Sequence, residues 1–121
     1  MGVLKDKSLG FAIRIVKLYQ FLSSEKNEYV LSKQLLRSGT AIGALQREGE
    51  HAESKLDFIH KYAIAQKECN ESLFWIELLY KTDYLDERQY SSLLFDTEEL
   101  MKLLTASIKT VKKSLVKNGA N

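Results

Sequence analysis

Apolar residues recur every three or four positions along four stretches of the chain, which is the spacing of one face of an α-helix. The pattern predicts four amphipathic helices, over about residues 8–23, 29–49, 54–81 and 86–117. Their apolar stripes are Phe11, Ile15, Leu18 and Leu22; Leu31, Leu35, Ser38, Ile42 and Leu45; Phe58, Tyr62, Ala65, Cys69, Ser72, Ile76 and Leu79; and Tyr90, Leu93, Leu94, Leu100, Leu104, Ile108, Val111 and Leu115. Short connections favour antiparallel neighbours. The sequence therefore predicts one domain over 1–121, an all-α, antiparallel up-down-up-down four-helix bundle.

Capping signals set the predicted helix ends. Ser8 is predicted to cap the first helix, and Ser54, with an acid at Asp57, to cap the third. Gly49 is a stop signal for the second helix. The tail 118–121 is expected to fray. The chain contains no proline, which fits long uninterrupted helices.

Composition narrows the class of protein. Hydrophobic residues make up 45% of the chain and charged residues 28%, the balance of an ordinary soluble globular domain. The single cysteine, Cys69, cannot form an internal disulfide, and its apolar heptad position predicts burial. No apolar run approaches a membrane span, and the N-terminus lacks the pattern of a signal peptide. We therefore expect a cytoplasmic protein without a membrane partner.

The small net charge of +2 conceals strong local polarity. Residues 1–17 carry +3, residues 83–100 carry −5 and residues 101–121 carry +5. In an up-down-up-down bundle the start of the first helix lies beside the end of the fourth, so their basic residues are predicted to form one patch that attracts phosphates. The candidate nucleic-acid-binding residues are Lys5, Lys7, Arg14, Lys109, Lys112, Lys113 and Lys117. The alternative is that these charges only complement helix dipoles.

A long, ordered motif covers the second and third predicted helices. Its segments are Gln34–Ala44, Arg47–Gly49, Asp57–Glu71 and Trp75–Leu79. The chain resembles, over roughly residues 8–115, the bacterial four-helix-bundle family of proteins encoded in 23S rRNA intervening sequences. That family is similar to the accessory variability proteins of diversity-generating retroelements. The resemblance implies a ring-shaped homo-oligomer, a pentamer, and a role linked to nucleic acid without known catalysis.

Two positions depart from that family's pattern. The family usually carries a small polar residue where this chain has Ala41, and an asparagine where it has Leu45. If those polar groups bind a ligand in the family, this chain lacks that function. Alternatively, they are helix-packing groups that apolar residues replace in this chain.

Self-association is also predicted from the residues, because the first and third helices are apolar on more than one face. Trp75 lies one residue off the core stripe and is a candidate interface anchor. Arg37 and Arg47 lie close to one side of the second helix and are candidate interface residues, with an ion pair to Glu48, Glu50 or a neighbouring subunit as the alternative. Gly39 and Gly43, one turn apart, predict close packing of a neighbouring helix.

Candidate catalytic chemistry is sparse. Glu48 with His51 and Asp57 with His60 match a di-iron motif poorly, since no inward pair of glutamates accompanies them on the other helices. No arrangement of nucleophile and base is recognisable. The sequence therefore predicts a non-enzymatic oligomeric scaffold that binds RNA or DNA and carries no cofactor. The alternatives are a module that docks a partner protein through an acidic or apolar surface and, with a weaker match, a di-iron metalloprotein.

Overall fold

A computed structural model describes residues 2–117 of the chain. These residues form four α-helices, which are α1 (Gly2–Lys26), α2 (Leu31–Glu50), α3 (Lys55–Lys81) and α4 (Glu87–Lys117). No strand occurs within the described range. The prediction of an all-α chain with four helices is confirmed. The tail 118–121, predicted to fray, lies outside the described residues.

Helix α1 is longer than predicted at both ends. It begins at Gly2 rather than at Ser8, because Leu4 is buried and extends the apolar stripe by two turns. Ser8 does not cap this helix; it is buried within it, and its hydroxyl donates to the carbonyl of Lys5 at 3.2 Å. At the other end, the helix runs past the predicted stop to Lys26, and Asn27 turns the chain in the left-handed region at φ 53°.

The buried carboxylate of Glu28 lies just before the start of α2. Glu28 is only 7% exposed, and its two oxygens accept hydrogen bonds from the backbone N–H groups of Val30, Leu31 and Ser32 at 2.8–3.0 Å. Burial raises the pKa of Glu28, but the hydrogen bonds from Leu31 and Ser32 outweigh it and leave that pKa below its ordinary value. The negative charge thus lies at the positive end of the helix dipole.

Polar caps also begin α3 and α4. The hydroxyl of Ser54 accepts from the backbone N–H of Asp57 at 3.1 Å, which confirms the predicted cap of α3. Before α4, Asp86 and Gln89 exchange hydrogen bonds between side chain and backbone at 2.8 and 2.9 Å. This reciprocal arrangement is a capping box, and it fixes the start of α4 within one residue of the prediction.

The predicted stripes form one continuous core between the helices. Several polar positions are buried within it, and most have a hydrogen-bond partner, whereas Oε1 of Gln46 has none among the described residues. Ser38 and Ser72 share a hydrogen bond of 2.8 Å between α2 and α3. Thr97 occupies a core position that hydropathy did not indicate, and its hydroxyl donates to the carbonyl of Leu93 at 2.7 Å. A short hydroxyl can occupy the core here because a backbone carbonyl of the preceding helical turn accepts its hydrogen bond.

In the described chain, the backbone of each helix approaches closely the backbones of its two neighbours in space. The helix α2 contacts α1 and α3, while α4 contacts α3 extensively and α1 least. The prediction that Gly39 admits a close neighbour is confirmed, since a Cβ there would lie 3.0 Å from Cγ1 of Ile15. A Cβ on Gly43 would lie 3.5 Å from the carbonyl oxygen of Ser8, which is ordinary van der Waals contact.

Gly49 has a role other than the predicted stop signal. The helix α2 continues to Glu50, and the ring of Tyr62 on α3 lies against the Cα of Gly49. A Cβ on Gly49 would approach Cε1 of that ring to 2.5 Å, which is closer than packed atoms come. The glycine is thus required by the approach of α3.

Candidate nucleic-acid interface

The last three turns of α4 form the most basic surface of the described chain. Lys109, Lys112, Lys113 and Lys117, called here the α4 lysine cluster, are all exposed. No described acidic side chain lies within ion-pair distance of any of them. Within 109–117 no residue is fully buried, so this end of the helix projects past the core.

Lys7 and Arg14 of α1 face acids of α4 instead of the α4 lysine cluster. Lys7 Nζ lies 3.3 Å from Glu99 Oε1, and Arg14 Nη1 lies 2.8 Å from Asp96 Oδ2. The predicted single basic patch therefore does not include these two residues. Because Lys7 pairs with Glu99, in the first half of the 31-residue α4, the start of α1 lies beside the middle of α4.

Lys5 lies within electrostatic range of Glu50 at the end of α2. The pKa of Glu50 is lowered mainly by the hydrogen bond from Gln46 Nε2 at 3.0 Å, and to a smaller extent by the charge of Lys5. The positive charge of Lys5 is thus shared with a carboxylate. Of the seven predicted binding residues, the four on α4 are the ones brought together without an acidic partner in the described range.

Lys55 is a basic neighbour of the cluster that the sequence analysis missed. It begins α3, and its Nζ donates a hydrogen bond to the hydroxyl of Ser114 on α4. The signal was available, because the order that places helix one beside the end of helix four also places the start of helix three there. Lys55 therefore adds a positive charge beside the α4 lysine cluster.

Arg37 and Trp75, two of the predicted interface residues, meet through one carboxylate. Arg37 binds Glu68 at 3.1 Å and also Glu71, and the indole N–H of Trp75 donates to Glu71 at 2.9 Å. Hydrogen bonding to Trp75, followed by Arg37, lowers the pKa of Glu71. The polar groups of Arg37 and Trp75 thus have partners on α3 of their own chain. For Arg37 these are Glu68 and Glu71, and not the Glu48 or Glu50 that the sequence offered as ion-pair partners.

Arg47, the third predicted interface residue, lies at a groove between α1 and α2. The groove has a volume of about 220 Å³, and small side chains such as Ala12, Gly43 and Ala44 line it. Beside it, Leu9, Ile13 and Val16 are 47%, 49% and 38% exposed on α1. We call these three residues and the groove the α1–α2 apolar face. Its exposed apolar side chains are the second apolar face that the sequence shows on the first helix.

The two departures from the family pattern lie one turn apart on the same side of α2. Leu45 is half-buried and packs against the core, so an apolar residue suits its position. Ala41 is also half-buried. The packing of Leu45 agrees with the interpretation that a helix-packing polar group has been replaced.

Residues that could support metal or thiol chemistry do not cluster. Within residues 2–117, no three His, Cys, Asp or Glu side chains are grouped so as to hold a metal ion. Cys69 is buried as predicted, and burial raises the pKa of its thiol to about 11. Among the described helices, none combines the length and hydrophobicity needed to cross a bilayer.

Comparisons with known proteins identify the family. The 23S rRNA-intervening sequence protein family matches residues 3–106, so the α4 lysine cluster lies beyond the matched region. A crystal structure from Bacteroides thetaiotaomicron VPI-5482, a protein with unknown function from the S23 ribosomal protein family, is 56% identical with a TM-score of 0.88. The match covers 89% of this chain and 96% of that one. No curated protein matches. The chain belongs to the 23S rRNA-intervening sequence protein family.

Proposed function

We propose that this protein is a non-enzymatic, oligomeric scaffold that binds nucleic acid electrostatically through the end of α4. The observation that carries the proposal is the α4 lysine cluster, four exposed lysines within nine residues and no ion-pair partner in the described range. Lysine side chains that neutralise phosphates release counterions, which supplies most of the free energy of non-specific binding. The proposed likeness to accessory variability proteins of retroelements, and a cytoplasmic location, accord with such a role.

Helix-dipole complementation accounts for only part of the cluster. A helix dipole acts within about the last turn, and Lys117 is the basic residue there. Lys109 lies more than two turns before the end of α4, and Lys112 and Lys113 lie more than one. These three lysines therefore need another explanation, and a polyanionic ligand provides it.

The proposal includes an up-down-up-down bundle that assembles into a ring. Contacts between successive helices support this topology, since Ser38 meets Ser72 while Gln46, later in α2, meets Tyr62, earlier in α3. The α1–α2 apolar face supports assembly, because exposed contiguous apolar side chains typically mark a contact with another protein. Arg47 at its edge is the proposed polar anchor, and a pentamer is the proposed subunit count.

Nucleic-acid binding is tested by titrating labelled RNA and DNA at several salt concentrations. We expect the affinity to fall steeply with salt, and the charge reversal K109E/K112E/K113E to abolish binding at moderate salt. The matched control is K33E/K67E/K81E, which reverses three exposed lysines on α2 and α3 and changes the net charge equally. Equal losses in the two variants would contradict a localised site, and no binding at low salt would refute the function.

The oligomer is tested by light scattering on the wild type and on Ile13→Glu. We expect a wild-type mass well above 13.9 kDa and a smaller assembly for the variant, because a charge on the α1–α2 apolar face opposes its burial. Gln20→Glu, an equally charged change at an exposed site on the same helix, should leave the mass unchanged. If the wild type is monomeric and this face instead retains a different protein, the partner-docking alternative replaces the ring.

A further inference from the structure

The outer face of α4 carries an aromatic side chain in line with its lysines. Phe95 is 66% exposed, the most exposed aromatic residue of the described chain. Counting along α4 from Phe95 in two steps of seven and then two steps of four gives Lys102, Lys109, Lys113 and Lys117, all exposed. Residues at these steps lie on one side of a helix. We call these five residues the outer stripe of α4.

Phe95 is not among the residues that form the core or pack against it. It lies one residue beyond Leu94, which is half-buried, and it borders a shallow depression of about 210 Å³ together with Glu98, Glu99 and Lys102. Glu99 is paired with Lys7, so Glu98 is the acid of this depression that faces solvent without an ion pair in the described range. An exposed aromatic ring beside a lysine offers one apolar face and one positive charge.

The length of the outer stripe suits several nucleotides. From Phe95 to Lys117 the helix rises about 33 Å, and Lys109, Lys113 and Lys117 follow one another at about 6 Å. A flexible single strand can place successive phosphates along such a row and still turn a base onto the ring. A duplex can meet the lysines, but its base faces are stacked inside the helix and cannot reach Phe95.

From this placement we propose that the ligand of the outer stripe is a single-stranded nucleic acid, with its phosphates on the lysines and an unstacked base on Phe95. The inference rests on the proposed function and specifies its ligand. Base stacking on an aromatic side chain tolerates any sequence, and lysine contacts to phosphate do not read the sugar. Single-stranded RNA and DNA should therefore bind similarly, with weak sequence preference.

The test compares a labelled 12-nucleotide single strand, as RNA and as DNA, with a 12-base-pair duplex at low salt. Wild-type protein should bind either single strand more tightly than the duplex. Phe95→Ala should weaken single-strand binding by at least about fivefold and leave duplex binding unchanged. Its salt slope should stay at the wild-type value, whereas K109E/K112E/K113E should reduce that slope by about 2.

Three controls make the result decisive. Phe74→Ala removes an exposed aromatic residue on α3, 55% exposed, and should have no effect. Phe95→Trp should retain binding, because a larger ring still stacks. Light scattering on Phe95→Ala should give the wild-type mass; a smaller mass would assign Phe95 to a subunit contact and overturn the inference.

The outcomes separate the two proposals. If duplex and single strand bind equally and Phe95→Ala changes neither, the single-strand inference is wrong while the electrostatic function stands. If neither ligand binds at low salt, both proposals are wrong. A loss on Phe95→Ala that is confined to single strands supports both.

Discussion

Two helix pairs of this bundle are joined in different ways. Between α2 and α3 the contacts are close, with Gly49 under the ring of Tyr62, the shared hydrogen bond of Ser38 and Ser72, and the pair of Lys61 and Glu48 at 3.2 Å. Between α1 and α4 the contacts are the fewest, and three shallow cavities line the boundary. Two partly exposed ion pairs cross that boundary.

The difference shows how one bundle divides its tasks. Close packing at α2–α3 depends on shape, so most substitutions there must disturb neighbouring atoms. The α1–α4 boundary depends on charges in contact with water, which contribute little stability and weaken in salt. We therefore expect the α2–α3 pair to determine stability and the α1–α4 pair to tolerate change.

The largest effect should come from Gly49→Ala at the α2–α3 boundary. The added Cβ would meet the ring of Tyr62, and overpacking of this kind costs about 1–3 kcal/mol. Urea denaturation monitored by circular dichroism measures the change. A variant as stable as the wild type would show that α3 shifts away from α2 without penalty.

The same substitution at the α1–α4 boundary should have the opposite sign. Gly10 lines one of the cavities there, and no atom lies within 4 Å of a Cβ built on it. Gly10→Ala should stabilise the protein by about 0.5–1 kcal/mol, because alanine loses less backbone entropy in a helix. Destabilisation in the same assay would mean that another surface, such as a neighbouring subunit, covers Gly10.

Acid should weaken the ion-pair network of α2 and α3. The pKa of Glu71 lies below its ordinary value of 4.5 in the folded chain, so the unfolded chain takes up its proton at a higher pH. Its contribution to stability is present above about pH 4.5 and is lost as the pH falls through the folded-state pKa. Arg37 is half exposed, so we expect less than about 1 kcal/mol.

The variant Glu71→Gln isolates this contribution. Its unfolding free energy should be lower than that of the wild type at pH 7, and the difference should shrink in acid. Glu77→Gln, at an exposed acid of the same helix without an ion pair in the described range, is the control. A difference between wild type and Glu71→Gln that is constant with pH would contradict the account.

The smallest effect should come from the ion pairs that cross α1 and α4. A double-mutant cycle on Arg14→Ala and Asp96→Ala should give a coupling of about 0.2–1 kcal/mol at low salt. High salt should reduce it, since both side chains are more than a third exposed. A coupling that persists in 1 M salt would show that this boundary is drier than its exposure indicates.

Periodicity was sufficient to predict the four helices, because most of the buried stripe residues recur at helical spacing. It failed at the start of α1, where Ser8 resembles a cap although its hydroxyl bonds within a continuing helix. Thr97 was missed in the core because its polarity is satisfied by the helix itself. Local hydrogen bonding of short hydroxyls is hidden from hydropathy, and it decides both cases.

The candidate site was predicted in part. The α4 lysine cluster follows from charge counting, but the ion pairs of Lys7 and Arg14 depend on how far α4 extends past α1. How far α4 extends past α1 can be seen only once the helices are packed together. The spacing of Phe95 and Lys102 is visible in the sequence, but their exposure is not. Only the structure shows which side of α4 contacts the core and which side faces solvent.

The projecting end of α4 also has a consequence for local opening. Beyond Ile108 no described residue is buried, so the last turns of α4 have little tertiary packing to hold them helical. Their amides should exchange with deuterium long before those of the core, through fraying that leaves the bundle intact. Any ligand that favours the helical form must supply that ordering free energy, and bound strands should therefore slow the exchange of this segment first.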